Sequence, residues 1–255
     1  MADLRPTERF SDRVEDYVRY RPDYPRALVD WLHGLGVKPD WAVADIGAGT
    51  GISSRLLLDA GHRVTAVEPN AAMRDAAVRW LGHEERFRTV AGSAEATGLP
   101  DGSVDLVTAG QAFHWFDKDR MRAECRRILS PRGLVAIFWN TRRLVGTPFL
   151  EGFEALMHEY GVDYVSITER YADDDAMARW FGHGYRGMAS FPHGQKLDFD
   201  ALKGRLMSSS YAPKPGHPNH EPLLAALRTL FESTQEDGTV DYDFDTRVFA
   251  GRPDA

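Results

Sequence analysis

The sequence predicts an α/β fold: a doubly wound, mostly parallel sheet of seven strands with helices packed on its faces. Three observations predict it. First, short apolar runs near 42–46, 63–68, 86–91, 104–109 and 133–139 alternate with helical stretches at 52–60, 70–81 and 118–129, the pattern of a parallel sheet. Second, the first run ends in a glycine-rich turn, Val43-Ala-Asp-Ile-Gly-Ala-Gly-Thr-Gly51. Third, the second run, Arg63-Val-Thr-Ala-Val-Glu68, ends in a carboxylate 17 residues beyond Gly51. That interval holds one helix and a return strand, a βαβ unit.

The elements follow in order. Residues 7–24 mix Phe10, Tyr17, Tyr20 and Tyr24 with Arg9, Arg13, Arg19 and Arg21, without a clean period. Pro25 opens a helix through Leu28, Trp31 and Leu32 that ends near Gly34-Leu-Gly36, since proline suits a first helical turn and glycine a last one. Asn70 is placed to cap the second helix of the alternation, and Ser130-Pro-Arg-Gly133 breaks the third. After Asn140 the pattern changes. An amphipathic helix is expected at 148–160, with Phe149, Phe153, Leu156, Met157 and Tyr160 on one stripe, followed by the acidic Asp173-Asp-Asp175 and the aromatic Trp180-Phe181. Strand signals return at 185–199 and 240–250, with helices near 200–209 and 221–234 around the proline-rich Ala212-Pro-Lys-Pro-Gly-His-Pro218. Four units result: 1–36, an arm and first helix; 37–140, the core; 141–185, an insertion read as a cap over the carboxyl end of the sheet; and 186–255, the end of the sheet with its helices.

Composition sets bounds. The chain has 255 residues, 43% of them hydrophobic, and a formal net charge of −7. That length suits one large domain or a core with a sizeable cap. A protein that grips a phosphate backbone usually presents a basic field, so nucleic acid is not the expected partner. The single Cys125 cannot form an internal disulfide, which fits a reducing compartment. It shares a helical face with Met121, Ile128 and Leu129 and reads as a small buried hydrophobe. No run of 18 apolar residues suggests a membrane span, and the opening Met-Ala-Asp-Leu-Arg-Pro lacks an apolar signal core. The expectation is a cytoplasmic protein, monomer or homodimer, with a small-molecule partner.

The turn at 45–51 carries the chemistry. Glycine lets the backbone turn sharply and lets a ligand lie directly against it. A dinucleotide fingerprint would need its third glycine at position 52, which is Ile, and no Lys follows as a P-loop requires. A carboxylate at the second strand tip, Glu68, can accept hydrogen bonds from both ribose hydroxyls of a nucleoside.

Four stretches resemble class I S-adenosylmethionine-dependent methyltransferases of the small-molecule type, in the broad group of trans-aconitate methyltransferase-like enzymes. Asp45-Ile-Gly-Ala-Gly-Thr-Gly51 resembles the loop that holds the methionine half of that cofactor, which implicates Asp45, Gly47, Ala48, Gly49 and Gly51. Val67-Glu-Pro-Asn-Ala-Ala-Met73 resembles the ribose acid, Glu68 with Pro69, followed by a side chain that covers adenine, here Met73. Ala91-Gly-Ser-Ala-Glu-Ala-Thr-Gly-Leu-Pro100 resembles the segment that meets the adenine amino group. Ser93 stands where Asp is common, so a backbone contact at Ala94 is the stronger expectation. Val104-Asp-Leu-Val-Thr-Ala-Gly-Gln-Ala-Phe-His-Trp-Phe116 resembles the fourth strand and its loop, with Gln111 beside the amino-acid end of the cofactor. The resemblance further implies that Arg9 to Tyr24 covers the cofactor, with Tyr17, Tyr20 and Arg21 the residues of interest, and that the sheet closes with an antiparallel hairpin. The Asn/Asp-Pro-Pro-aromatic sequence of base-amine methylases is replaced by Gln111-Ala-Phe-His114, which again argues against nucleic acid.

Methyl transfer asks the protein mainly to position two reactants. His114, just after the fourth strand, is the tentative catalytic base, or else with Trp115 a wall of the pocket. Arg142 and Arg143, after the fifth strand, are tentative ligands for a substrate carboxylate. His183 and His193 have no ligand-spaced partners, and no metal is expected. Two further readings stay open: a cyclase or isomerase that keeps the cofactor without methyl transfer, and a non-catalytic cofactor-binding subunit.

Overall fold

The computed structural model describes residues 21–164 and 174–254; Tyr17, Tyr20 and the rest of the expected covering arm up to residue 20 lie outside the described residues, as does Asp173. Strands β1 (Ala42–Ile46), β2 (Arg63–Val67), β3 (Phe87–Val90), β4 (Val104–Gly110) and β5 (Leu129–Arg142) pair in parallel. Strands β6 (Tyr185–Leu197) and β7 (Val240–Gly251) complete the sheet, with β7 antiparallel to both its neighbours. The order is β3-β2-β1-β4-β5-β7-β6. It reverses between β1 and β4, and ligands of open α/β sheets bind at the carboxyl ends of the strands beside such a reversal.

Two cores sandwich the sheet. On one face, Leu28 and Leu32 of α1 (Arg26–Gly34) and Leu57 and Leu58 of α2 (Ile52–Asp59) pack with Val43, Leu106 and Phe138. On the other, Met121, Cys125 and Ile128 of α4 (Lys118–Ile128) pack with Met177, Trp180 and Phe181 of α6 (Asp174–Phe181) against Val107, Ile137 and Trp139. Cys125 is fully buried, and burial pushes its thiol well above the ordinary range, the state of a packing side chain rather than a nucleophile. Helix α3 (Ala71–Leu81) is capped by Asn70, whose side chain accepts from the Met73 N–H at 3.2 Å.

Two expectations are corrected. The breaker Ser130-Pro-Arg-Gly133 does not separate helix from strand. It bulges within β5, so that Val104 pairs Leu129 while Leu106 pairs Leu134. The bulge is tied down rather than loose: Arg252 donates to the carbonyls of Ser130 at 2.8 Å and Gly133 at 2.9 Å, and Ser130 donates to Asp105 at 2.8 Å.

The segment 141–185 is not one insertion. Its later part, α6, belongs to the core of the sheet. Its first part, α5 (Pro148–Tyr160), joins α7 (Phe199–Met207) and α8 (His220–Thr234) in a third core of Phe149, Phe153, Met157, Leu202, Leu206, Leu223, Leu227 and Phe231. This cap stands on the hairpin. The last β5–β7 pair is Arg142 with Phe244, with Arg143 still donating to the Asp243 carbonyl at 2.9 Å, so β7 runs on through Val240–Tyr242 paired with β6 alone, and Val240, Tyr242 and Phe244 point into the third core. The period-2 pattern of the strand ends thus carries the helices over the carboxyl side of the sheet.

Candidate active site

A cavity of about 300 Å³ opens at the carboxyl ends of β1, β2 and β4, between Gly47, Gly49, Glu68, Pro69, Met73, Ser93, Ala94, Gln111 and Trp115. Gly47 and Gly49 hold left-handed backbone, at φ +67° and +57°. A Cβ on Gly47 would stand 2.7 Å from the Ala112 Cβ and 2.9 Å from the Phe116 ring, whereas one on Gly49 would meet nothing within 4 Å. The first glycine is required by packing, and the second leaves room for an occupant.

Glu68 fixes the loop. Its carboxylate accepts the Gly49 N–H at 3.0 Å and the Asn70 N–H at 2.9 Å. Burial raises the carboxyl above its ordinary range, and those two N–H groups oppose the rise. Arg74 grips the carbonyls of Glu68 and Pro69 at 2.7 and 2.8 Å, which holds the turn beneath α3. Met73 is buried and lines the cavity. Ser93 turns its hydroxyl toward the Glu95 N–H at 3.3 Å, and the next turn is anchored by Glu124, which accepts from the Thr97 N–H at 2.8 Å and hydroxyl at 2.6 Å. The Arg127 guanidinium, with Thr97, holds the Glu124 carboxyl down at about 2. A charged bracket therefore underlies the Ser93–Ala94 wall.

Gln111 sits at φ +57°, uncommon for a residue with a side chain. Its Nε2 donates to the Asn140 carbonyl at 3.1 Å, while its Oε1 is buried without a hydrogen-bond partner in the described residues. Gln111 and Gly47 also border a small polar recess lined by Arg21, Tyr24, Ala48, Ser53 and Asn140.

Several expected ligands stand elsewhere. Asp45 does not line the cavity. It is fully buried and accepts hydroxyl bonds from Ser53 at 2.6 Å, Ser54 at 2.7 Å and Thr108 at 2.8 Å. Burial raises its carboxyl, and the three hydroxyls hold it back. It thereby rivets the first turn of α2 to β1 and β4 and shapes the loop from behind. Gly51 likewise faces Leu81, not the cavity. Ala48 borders the recess. His114 lies in the short 3₁₀ turn Phe113–Trp115 with its ring 4.8 Å from that of Trp115, but Trp115 alone of the two reaches the wall. Arg142 and Arg143 are engaged by the chain itself. Arg142 bonds Glu154 and, at 2.8 Å, the Tyr164 hydroxyl, with its guanidinium over the Phe153 ring. Arg143 forms a two-pronged pair with Asp245 at 2.7 and 3.1 Å. Arg142 ties α5 to the end of β5, and Arg143 ties that end to β7. The sequence reading passed over Phe116 and Glu95, which line the cavity too; the aromatic run Phe113-His-Trp-Phe116 was the available signal for the first. Among the described residues, no group of three His, Cys, Asp or Glu could hold a metal ion, and no helix is long and apolar enough to cross a membrane.

A reversal-point cavity with a glycine-rich first loop, a strand-tip carboxylate and an apolar side-chain cover defines a nucleoside-cofactor protein of the doubly wound class. Comparison with known proteins narrows it. Residues 44–137 match the methyltransferase domain family. An uncharacterized methyltransferase of Schizosaccharomyces pombe is 35% identical over 207 residues, 78% of this chain and 77% of its own. A second from that organism is 29% identical over 235 residues, 89% and 87%. A solved structure described as a type II methyltransferase from Anaeromyxobacter dehalogenans superposes with a TM-score of 0.70 at 27% identity, covering 92% of this chain and 100% of its own. The chain belongs to the methyltransferase family and is a class I S-adenosylmethionine-dependent enzyme.

Proposed function

We propose that the protein transfers a methyl group to an O, N or C atom of a small molecule, the acceptor entering between the cofactor cavity and the cap. The observation that carries this is the cavity wall: beyond the carboxylate it is lined by Met73, Ala94, Ala112, Trp115 and Phe116, a concave apolar site with few polar groups, as small-molecule sites are. The resemblance to the trans-aconitate methyltransferase-like group and the net charge of −7 support a small acceptor over a nucleic acid.

The residues present fit the cofactor. Glu68 offers its carboxylate to ribose hydroxyls; Met73 and Ala94 offer apolar cover to a base; Gly49 leaves open space for close backbone approach, and Gln111 borders the same cavity. When bound, S-adenosylmethionine supplies a methyl group activated by its sulfonium charge. Trp115 and Phe116 line the cavity with rings that would exclude water from a bound cofactor. Holding the acceptor in line with the transferred methyl is the main contribution the protein makes, worth roughly 7–11 kcal/mol when alignment is good. The test is incubation of whole-cell extracts with the protein and methyl-labelled cofactor, read by mass spectrometry of the small-molecule, protein and nucleic-acid fractions. Label in a low-mass product supports the proposal; label confined to protein or nucleic acid, or none transferred, refutes it.

A further inference from the structure

A second recess lies at the opposite end of the sheet. The cofactor cavity opens at the carboxyl ends of β1, β2 and β4. This one opens where β5 and β6 begin and β7 ends, and it holds about 670 Å³. Arg126 from the last turn of α4, Arg186 from β6 and Arg252 just past β7 line it, with His183 and Tyr185. Among the described residues, Asp254 is the one carboxylate on its wall.

Three guanidiniums meet here in a chain whose formal net charge is −7. Elsewhere Arg55, Arg127, Arg143 and Arg247 each hold an Asp or Glu. Arg126 and Arg186 are exposed and make no ion pair or side-chain hydrogen bond among the described residues. The backbone brings the three together. Tyr185 pairs with Gly251 and Gly187 with Ala250, so Arg186 is the extra residue of a bulge, without a partner on β7. Such a bulge re-aims the side chain it carries, and Gly187 permits this one at φ +129°. Arg252 is fixed from the far side, where its Nη1 is taken by the carbonyls of Ser130 and Gly133 in the bulge of β5.

The acid on the wall is occupied. A Cβ on Gly184 would stand 1.8 Å from the Arg252 carbonyl oxygen, so the turn Gly182–Gly184 lies pressed onto the end of β7. Asp254 closes that turn: its carboxylate accepts the His183 N–H and, at 3.1 Å, the Gly184 N–H. It pairs with no arginine among the described residues. Like charges gathered by two bulges repel one another, and an anion between them relieves the repulsion. Guanidinium forks suit phosphate oxygens, which they bind in pairs. Groups converging from three elements suit a tetrahedral phosphate better than a planar carboxylate. The volume falls within the roughly 300–1,000 Å³ of small-molecule sites, more than a lone phosphate ion fills.

We propose that this recess binds a phosphorylated small molecule, its phosphate held between Arg126, Arg186 and Arg252, at a site separate from the cofactor cavity. The test is calorimetry in low-salt buffer with inorganic pyrophosphate, and with citrate as a carboxylate probe of similar charge. The wild type should bind one pyrophosphate, at least about 5-fold more tightly than citrate, because paired guanidinium contacts are the distinguishing element. Arg126→Gln combined with Arg186→Gln should weaken pyrophosphate by about 10-fold or more, as loss of charge-assisted contacts does. Both side chains are exposed, so the double variant should keep the wild-type Tm; Arg126→Gln alone, with a smaller loss, stands in should it not fold. Arg88→Gln removes an exposed arginine on β3, outside the recess, and should leave pyrophosphate within about 2-fold, a change too small to count as a lost hydrogen bond. No pyrophosphate binding, citrate bound as tightly, no loss in the recess variants, or an equal loss in Arg88→Gln overturns the proposal.

Discussion

Acid should unfold this protein earlier than its carboxylates alone would require, and His62 is the reason. The residue joins α2 to β2 and is fully buried. Burial, with His33 beside it, lowers its imidazole from 6.5 to about 4. The sign follows from linkage. Between those values the unfolded chain carries a proton at His62 that the native chain does not, so protonation favours unfolding. The native state bears no penalty above about pH 6.5, loses stability as pH falls through the window, and has lost the full amount near pH 4. At pH 5 the two pKa values give a loss of about 2 kcal/mol relative to pH 7.5, at 1.36 kcal/mol per pH unit of separation. For a fold of ordinary stability, about 5–15 kcal/mol, that is roughly an eighth to two fifths of the total. The assay is urea unfolding at pH 7.5 and 5.0 for the wild type and His62→Phe, which keeps a ring in the site and removes the titration. The variant should lose about 2 kcal/mol less than the wild type over that interval. Equal losses in the two proteins would refute the argument, because the proton would then be binding elsewhere.

Three further outcomes are expected. Glu68→Ala should weaken S-adenosylhomocysteine by about 1.5–3 kcal/mol, the scale for a charged hydrogen-bond partner; calorimetry giving an unchanged Kd would remove Glu68 from the nucleoside site. Gly47→Ala, forced into left-handed backbone and against Ala112 and Phe116, should lower stability by at least about 1–2 kcal/mol and cofactor affinity with it, so a variant with wild-type Tm and affinity contradicts the loop geometry. His114→Ala should cost kcat much less than the 10²–10⁴-fold expected of a general base and leave the acid limb of the pH–rate profile in place, while Trp115→Ala, on the wall, should raise KM; the opposite ranking would return the base role to His114.

The parts of this molecule that sequence reveals are those fixed by neighbours along the chain. The turn at 47–51 and the carboxylate at 68 are set by glycine conformation and by the length of one helix, so both stand where spacing puts them. Met73, expected from the family resemblance, is buried against the cavity because Asn70 caps α3 just before it. Side chains whose partners lie far away are another matter. Asp45 reads as a ligand because it adjoins the glycines, yet one of the hydroxyls that engages it comes from Thr108, across the sheet. Arg142 and Arg143 read as free cations until folding brings Glu154 and Asp245 to them. The breaker at 130–133 contains the signals that end a helix, but the strand has already begun there, and the Arg252 side chain, over a hundred residues away, fastens the segment as a bulge. His62 carries no local mark of its burial at all.

The cap has a core of its own, built on the overhanging end of the β6–β7 hairpin and sharing no buried residue with the two cores that frame the nucleoside loops. Substitutions among Phe149, Phe153, Leu202, Leu223 or Phe231 fall on one side of that division, and those among Val43, Leu57, Val107 or Ile137 on the other. Mutations at well-separated sites combine with little interference. If the acceptor enters under the cap as proposed, a lineage carrying this fold can drift in which acceptor it admits while its grip on the methyl donor stays under separate selection, and a laboratory library confined to the cap helices tests that separation: its members should still load the donor.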